Sequence, residues 1–178
     1  MKRWLLRGVQ AGIGGCVLLL ALLTVLWMEH KTPLELPVPT GPFTVGRLTT
    51  AWVDENQVDT LAPSAGQKRE LVVWIWYPAA KPSVAIKDDY LPAPWRVAVE
   101  RALGVLLGQF LTRDLSKVHG HSYRDPAISP QQRSYPVVVV RTGASAEVWN
   151  YSTLAEDLAS HGYVVVGFDA PYRNVSSI

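Results

Sequence analysis

The chain has 178 residues, 48% of them hydrophobic and 18% charged, and a formal net charge of +2. That suits one ordinary domain and excludes a disordered chain. The charge is too weak, and past Arg7 too dispersed, for a nucleic-acid binder, and the lone cysteine, Cys16, excludes an intrachain disulfide.

Lys2, Arg3 and Arg7 precede an uncharged run over residues 8–28. At about 1.5 Å per residue the run spans roughly 30 Å, the thickness of a bilayer's hydrocarbon core. Trp4 and Trp27 stand near its two ends, where aromatic rings favour the interface. Glu29, His30 and Lys31 close it. A cleaved signal peptide would want a shorter core and an A-x-A-like site. A lipoprotein signal would place its apolar run before Cys16, and here it lies mostly after. The reading is therefore a transmembrane helix. The excess of positive charge before it puts the N-terminus in the cytoplasm and the remainder outside.

Residues 32–42 hold four prolines, Pro33, Pro37, Pro39 and Pro42, and read as a stiff spacer. Residues 43–54 and 70–77 read as strands paired in an antiparallel hairpin with a long loop. Trp95, Ala98, Ala102, Leu106 and Phe110 recur at helical spacing, so residues 95–111 read as one amphipathic helix. Packing on its own domain is the plain reading of that helix. A lid or a membrane-touching surface is the sharper one. His119 and His121 read as hydrogen-bonded loop residues, without the acidic or cysteine partners a metal site needs. No metal and no cofactor are expected.

Residues 135–141 form a continuous apolar run of the kind buried on both faces of a sheet. Tyr151, Leu154, Ala155, Leu158 and Ala159 give an amphipathic helix, with Gly162 as its C′ residue. Residues 163–168 are a second fully apolar strand. This is a β-α-β unit.

An antiparallel pair, an insertion, and then strand, glycine loop, helix and strand is the opening order of an α/β-hydrolase. The chain resembles the platelet-activating-factor acetylhydrolase isoform II family. The resemblance rests on Gly41-Pro42-Phe43-Thr44-Val45-Gly46, on Ile75-Trp76-Tyr77-Pro78-Ala79, and above all on Leu154-Ala155-Glu156-Asp157-Leu158-Ala159-Ser160-His161-Gly162-Tyr163-Val164-Val165. It implies a serine esterase fold: an activated serine, a histidine held by an aspartate, and two backbone N–H groups for the oxyanion. It implies an ester substrate, with a phospholipid acetyl ester among the candidates. It also implies that the loop containing Gly143 is the oxyanion loop, with the N–H of Ala144 as first donor.

The G-x-S-x-G nucleophile elbow should come after the β-α-β unit, and none does. The near-match Gly143-Ala144-Ser145-Ala146-Glu147 has Glu in its fifth place and lies before that unit, so Ser145 is not expected to be the nucleophile. His161 reads as a helix cap and Asp169 as a structural cap for the segment after it. The expected architecture is α/β: the N-terminal portion of an α/β-hydrolase sheet behind one transmembrane helix. Its parts are a tail (1–7), the span (8–28), a spacer (29–41), and a partial hydrolase domain (42–178) with a helical insertion at about 92–113. With no triad in the chain, it is expected to be inactive as it stands. A truncated non-catalytic single-pass membrane protein, or a lipid-binding module, is the other reading left open.

Overall fold

The computed structural model describes residues 2–81, 84, 86–143 and 146–169, with first-helix side chains described at 7, 8, 10 and from 12 onward. Helix α1 (Lys2–Lys31) runs unbroken because no proline interrupts it. Residues Gly12–Lys31 are long and apolar enough to cross a membrane, and none of that stretch's apolar window is buried inside the protein.

The spacer is not wholly free. Its residues Leu34–Glu35 form a short strand, β1. Next come β2 (Thr44–Val58) and β3 (Lys68–Ala79), antiparallel from Thr44 opposite Ala79 to Val58 opposite Lys68. The strands are longer than the sequence suggested because the hairpin tip stays paired beyond the buried part of the sheet. Strands β4 (Lys87–Asp89) and β5 (Val118–Arg124) flank the insertion. Parallel strands β6 (Val137–Val140) and β7 (Val164–Asp169) are joined by a 3-10 turn (Val148–Tyr151) and helix α3 (Ser152–Ser160). The sheet order is β1-β5-β2-β3-β7-β6, with β4 pairing β5.

The core forms where alternating sheet residues meet the helices. Val45, Trp74, Trp76 and Val165 pack with Ala155 and Ala159 of α3 and with Val99 of the insertion. Trp74 and Trp76 are fully buried, with ring centroids 6.2 Å apart. The Gly41 motif has a packing reason: a Cβ there would stand 2.1 Å from the Ser160 carbonyl oxygen. Gly162 comes after α3 with φ 94°, and the Tyr163 N–H reaches back to Leu158 O at 3.2 Å, the expected helix end.

Three expectations change. The single helix over 95–111 is α2 (Ala93–Leu106), broken at Gly104, then a π-turn (Leu107–Leu111). Gly104 has φ 69°, which only glycine adopts without strain. The apolar period continues through the break, so spacing alone did not reveal it. His119 and His121 lie on strand β5, where His121 Nε2 is 2.8 Å from Leu36 O. Strand β6 is not buried on both faces. Val137 and Val139, which share one face of the sheet, are each 61% exposed, and among the described residues nothing pairs with the outer edge of β6.

Candidate functional site

In open α/β sheets ligands bind outside the carboxyl ends of the strands. The carboxyl end of β6 leads into residues 141–147 and so into the helical run that crosses to β7. Gly143 sits exposed in this loop, with open space where a Cβ would stand. The Ala146 N–H donates to Gly143 O at 3.2 Å, closing a turn. Ala144, the expected oxyanion donor, and Ser145 lie outside the described residues.

The exit of the loop is tightly built. The Glu147 N–H donates to Asn150 Oδ1 at 2.9 Å, half of a reciprocal capping box with the Glu147 carboxylate. The Trp149 indole N–H also donates to that carboxylate. Val148 is buried, and its N–H donates to both Asp169 oxygens at 3.1 and 3.3 Å. Trp74 Nε1 donates to Asp169 Oδ2 at 3.1 Å. Asp169, at the end of β7, therefore holds the start of the helical run against β3. The sequence suggested a cap for the segment beyond residue 169, which lies outside the described residues. Among the described residues Asp169 holds the earlier segment that begins at Val148.

Burial pushes the Asp169 carboxyl up to about 6, helped by the nearby Glu147 and opposed by the hydrogen bonds from Val148 and Trp74. The native state then holds more protons than the unfolded chain between about pH 4 and 6, so stability falls as pH rises through that window. Above about pH 6 the effect is complete. Asp169→Asn keeps an acceptor for both donors. It is expected to flatten the melting temperature against pH between 4 and 6; an unchanged decline would reassign it to another group.

Next to the loop exit, a cavity of about 250 Å³ lies between Val99 and Leu103 of α2 and Trp149. The Trp149 ring meets Tyr90 edge-on, with centroids 5.6 Å apart.

The histidines are not gathered at this loop. His161 caps the far end of α3, where its Nε2 lies 2.9 Å from Thr40 Oγ1 and 4.0 Å from Asp157. The helical run separates it from the loop by about 20 Å, too far for a general base. Among the described residues no group of three His, Cys, Asp or Glu clusters as metal ligands would.

The chain holds a second partial elbow pattern, Gly120-His121-Ser122-Tyr123-Arg124, which sequence reasoning missed. It lies within β5, on extended backbone instead of a strand-to-helix turn. Ser122 is buried, and its hydroxyl donates to Glu156 Oε1 at 2.6 Å. Glu156 also accepts from the backbone N–H groups of His121 and Ser122 at 3.0 Å each. Ser122 is thus one of three donors that tie β5 to α3, with no room for a substrate. The signal that would have found this pairing is a glutamate on the apolar face of α3, inside the family's most specific run.

Comparisons with known proteins agree with this geometry. The sequence profile of the family "Platelet-activating factor acetylhydrolase, isoform II" matches residues 28–176. Among solved structures, a ferulic acid esterase from Streptomyces cinnamoneus is similar, with a TM-score of 0.65 and 30% sequence identity. The match covers 80% of this chain and 38% of that esterase, so the chain spans less than half of the esterase's length. Among curated proteins nothing matches. With its profile match, its strand order and its glycine loop at the end of β6, the chain belongs to the platelet-activating factor acetylhydrolase isoform II family of α/β-hydrolases.

Proposed function

We propose that the chain is the anchor and oxyanion-loop portion of a carboxylic ester hydrolase that works at a membrane. Short acyl esters, phospholipid acetyl esters among them, are its substrate class. The observation that carries this reading is the Gly143 loop, which leaves the carboxyl end of a parallel strand and turns straight into a helical run. In open α/β sheets that is the end at which ligands bind, and a backbone N–H placed there can donate to an oxyanion. We assign the first oxyanion donor to the Ala144 N–H, with Gly143 leaving the approach open. A backbone donor does not depend on its side chain, so Thr142 and Ala144 are compatible with the role.

One such donor contributes about 2.7–4 kcal/mol to a transition state, which does not replace a nucleophile. The 178 residues contain no G-x-S-x-G. Among the described residues the outer edge of β6 is unpaired, which leaves a place for a further strand that brings the nucleophile elbow. In the same reading α1 anchors the domain, with its N-terminus cytoplasmic and residues 42–178 outside. The ester-hydrolase name of the Streptomyces cinnamoneus structure supports the reaction class and leaves the acyl group open.

Two measurements test the halves of this reading. The purified chain is expected to hydrolyse p-nitrophenyl acetate no faster than its Ser145→Ala variant; turnover that disappears in the variant overturns the assignment. Alkaline phosphatase fused at the C-terminus is expected to be active. An inactive fusion, with an active cytosolic reporter at the same site, reverses the orientation.

A further inference from the structure

We propose that Glu147 and Asp169 form a carboxyl pair that carries a single proton while the exit of the Gly143 loop is closed, and that loss of this proton lets the exit open. The inference rests on the reading of residues 141–147 as the oxyanion loop, and names how that site is regulated.

The two carboxyls meet at one peptide group, the one that joins Glu147 to Val148. Asp169, on β7, accepts its N–H at 3.1 and 3.3 Å. The Glu147 carboxylate folds over the same turn, where it accepts from the Asn150 N–H and the Trp149 indole. Glu147 is 5% exposed and Asp169 is partly buried. Two carboxylates placed this way in a poorly hydrated site repel, and such a pair titrates as a unit that keeps one proton to unusually high pH. Among the described residues the neighbouring elements bring groups that are neutral or already engaged. Strand β3 brings the Trp74 indole, which donates to Asp169 at 3.1 Å. Strand β2 brings Arg47, which lies over the Trp74 ring and pairs with Asp88. Tyr90 meets Trp149 edge-on, and Glu156 of α3 is bonded to β5. Burial, with the Glu147 charge added to it, outweighs the two donors at Asp169, so the pair keeps its proton up to about pH 6.

Above that pH the closed exit holds two negative charges out of water. Opening relieves both burdens, because it carries Glu147 away from Asp169 and hydrates the two. The segment that must move is a 3-10 turn, Val148–Tyr151, whose hydrogen bonds are poorer than those of an α-helix. It can unwind while α3 stays in place, since Glu156 ties α3 to β5 and Ser160 ties it to Gly41 and Phe43. The buried Val148 side chain, seated against Gly167, closes it again. The bond from the Ala146 N–H to Gly143 O joins the loop to its exit, so the two move together. The loop is therefore fixed only while the pair holds its proton.

The test is amide hydrogen exchange of the full chain in detergent, from about pH 4 to about pH 8, corrected for the intrinsic pH dependence of exchange. It is read on peptides covering residues 146–151 and, within β3, residues 72–77. Between about pH 4 and 6 the protection of 146–151 is expected to fall by up to about a hundredfold, the two pH units over which the pair keeps its proton beyond the ordinary carboxylate range. Above that it is expected to level off. The exchange of 146–151 should be insensitive to dilute urea, because a local opening exposes little surface. Residues 72–77 should exchange more slowly and respond to urea. Asp169→Asn keeps an acceptor without a charge, and its 146–151 protection is expected to stay at the acid level at every pH. Glu147→Gln keeps an acceptor for Trp149 and Asn150, and is expected to move the fall to lower pH. A fall that persists in Asp169→Asn, or that Glu147→Gln leaves in place, overturns the pair. Exchange of 146–151 that matches 72–77 and rises with urea overturns the local opening. The expected fall, together with a p-nitrophenyl acetate turnover that Ser145→Ala abolishes, supports the latch and overturns the oxyanion-loop reading instead.

Discussion

Replacing Glu156 by alanine is expected to lower the stability of the domain by about 2–4 kcal/mol. Glu156 is 2% exposed, and it accepts from two backbone N–H groups of β5 and from the Ser122 hydroxyl. The truncation leaves all three donors facing a void. A buried donor without a partner costs about 1–3 kcal/mol, and local collapse and water entry recover part of the sum. For a chain of this size the loss corresponds to a melting temperature roughly 4–16 °C lower. Glu156→Gln keeps one acceptor oxygen and is expected to recover about half of the loss. Thermal unfolding in detergent measures both, and amide exchange localises the change. His121 and Ser122 should exchange faster in the alanine variant, while the β2–β3 hairpin stays protected. An alanine variant as stable as the parent would show that β5 does not depend on α3.

The second large effect is expected at Arg47. This guanidinium is 2% exposed, and its Nε pairs with Asp88 at 2.7 Å. Its terminal nitrogens donate to Tyr90 O at 3.1 Å and to Asp89 O. It also lies over the Trp74 ring, 5.3 Å from the centroid. Arg47 thus fastens the start of the insertion to the first long strand. Removing one partner of a buried pair costs about 3–5 kcal/mol, and Arg47→Ala is expected at the lower end of that range. Arg124 Nε, 2.9 Å from Asp88, retains part of the neutralisation. Arg47→Lys should not restore the parent stability, because one ammonium cannot serve three acceptors spread over a planar fork. Trypsin is expected to cut faster after Lys87 and Arg96 in both variants. Equal cleavage rates would show that the insertion is held by its apolar contacts alone.

Both residues mark where the sequence stopped being legible. Continuous apolar runs identified α1 and the two parallel strands, and local composition and period identified the hairpin and α3. The glycine at the end of α3 was readable for the same reason. Glu156 and Arg47 were not. Their partners lie 34–35 and 41–43 positions away in sequence, and no local pattern encodes such a pairing. A buried charge in a strand or on an apolar helix face looks like an interruption until its acceptors or donors are known. Strands β1 and β4 were invisible because two or three residues carry no period. The Gly104 break was hidden by side chains that keep helical spacing through it. The candidate site was legible in part. Gly143 and its loop came from the family resemblance, and the strand order supports their place. The capping role of Asp169 toward Val148 depends on β7 returning beside the loop, which only the folded sheet reveals.

In the proposed function this chain carries an oxyanion loop without a nucleophile to serve it. Fluorophosphonate labelling, read by intact mass and peptide mapping, tests that claim most directly, because the reagent bonds only to a serine activated by a base. No adduct is expected on the detergent-solubilised chain. A stoichiometric adduct on Ser145, lost in Ser145→Ala, would contradict the claim and place a complete site within these 178 residues.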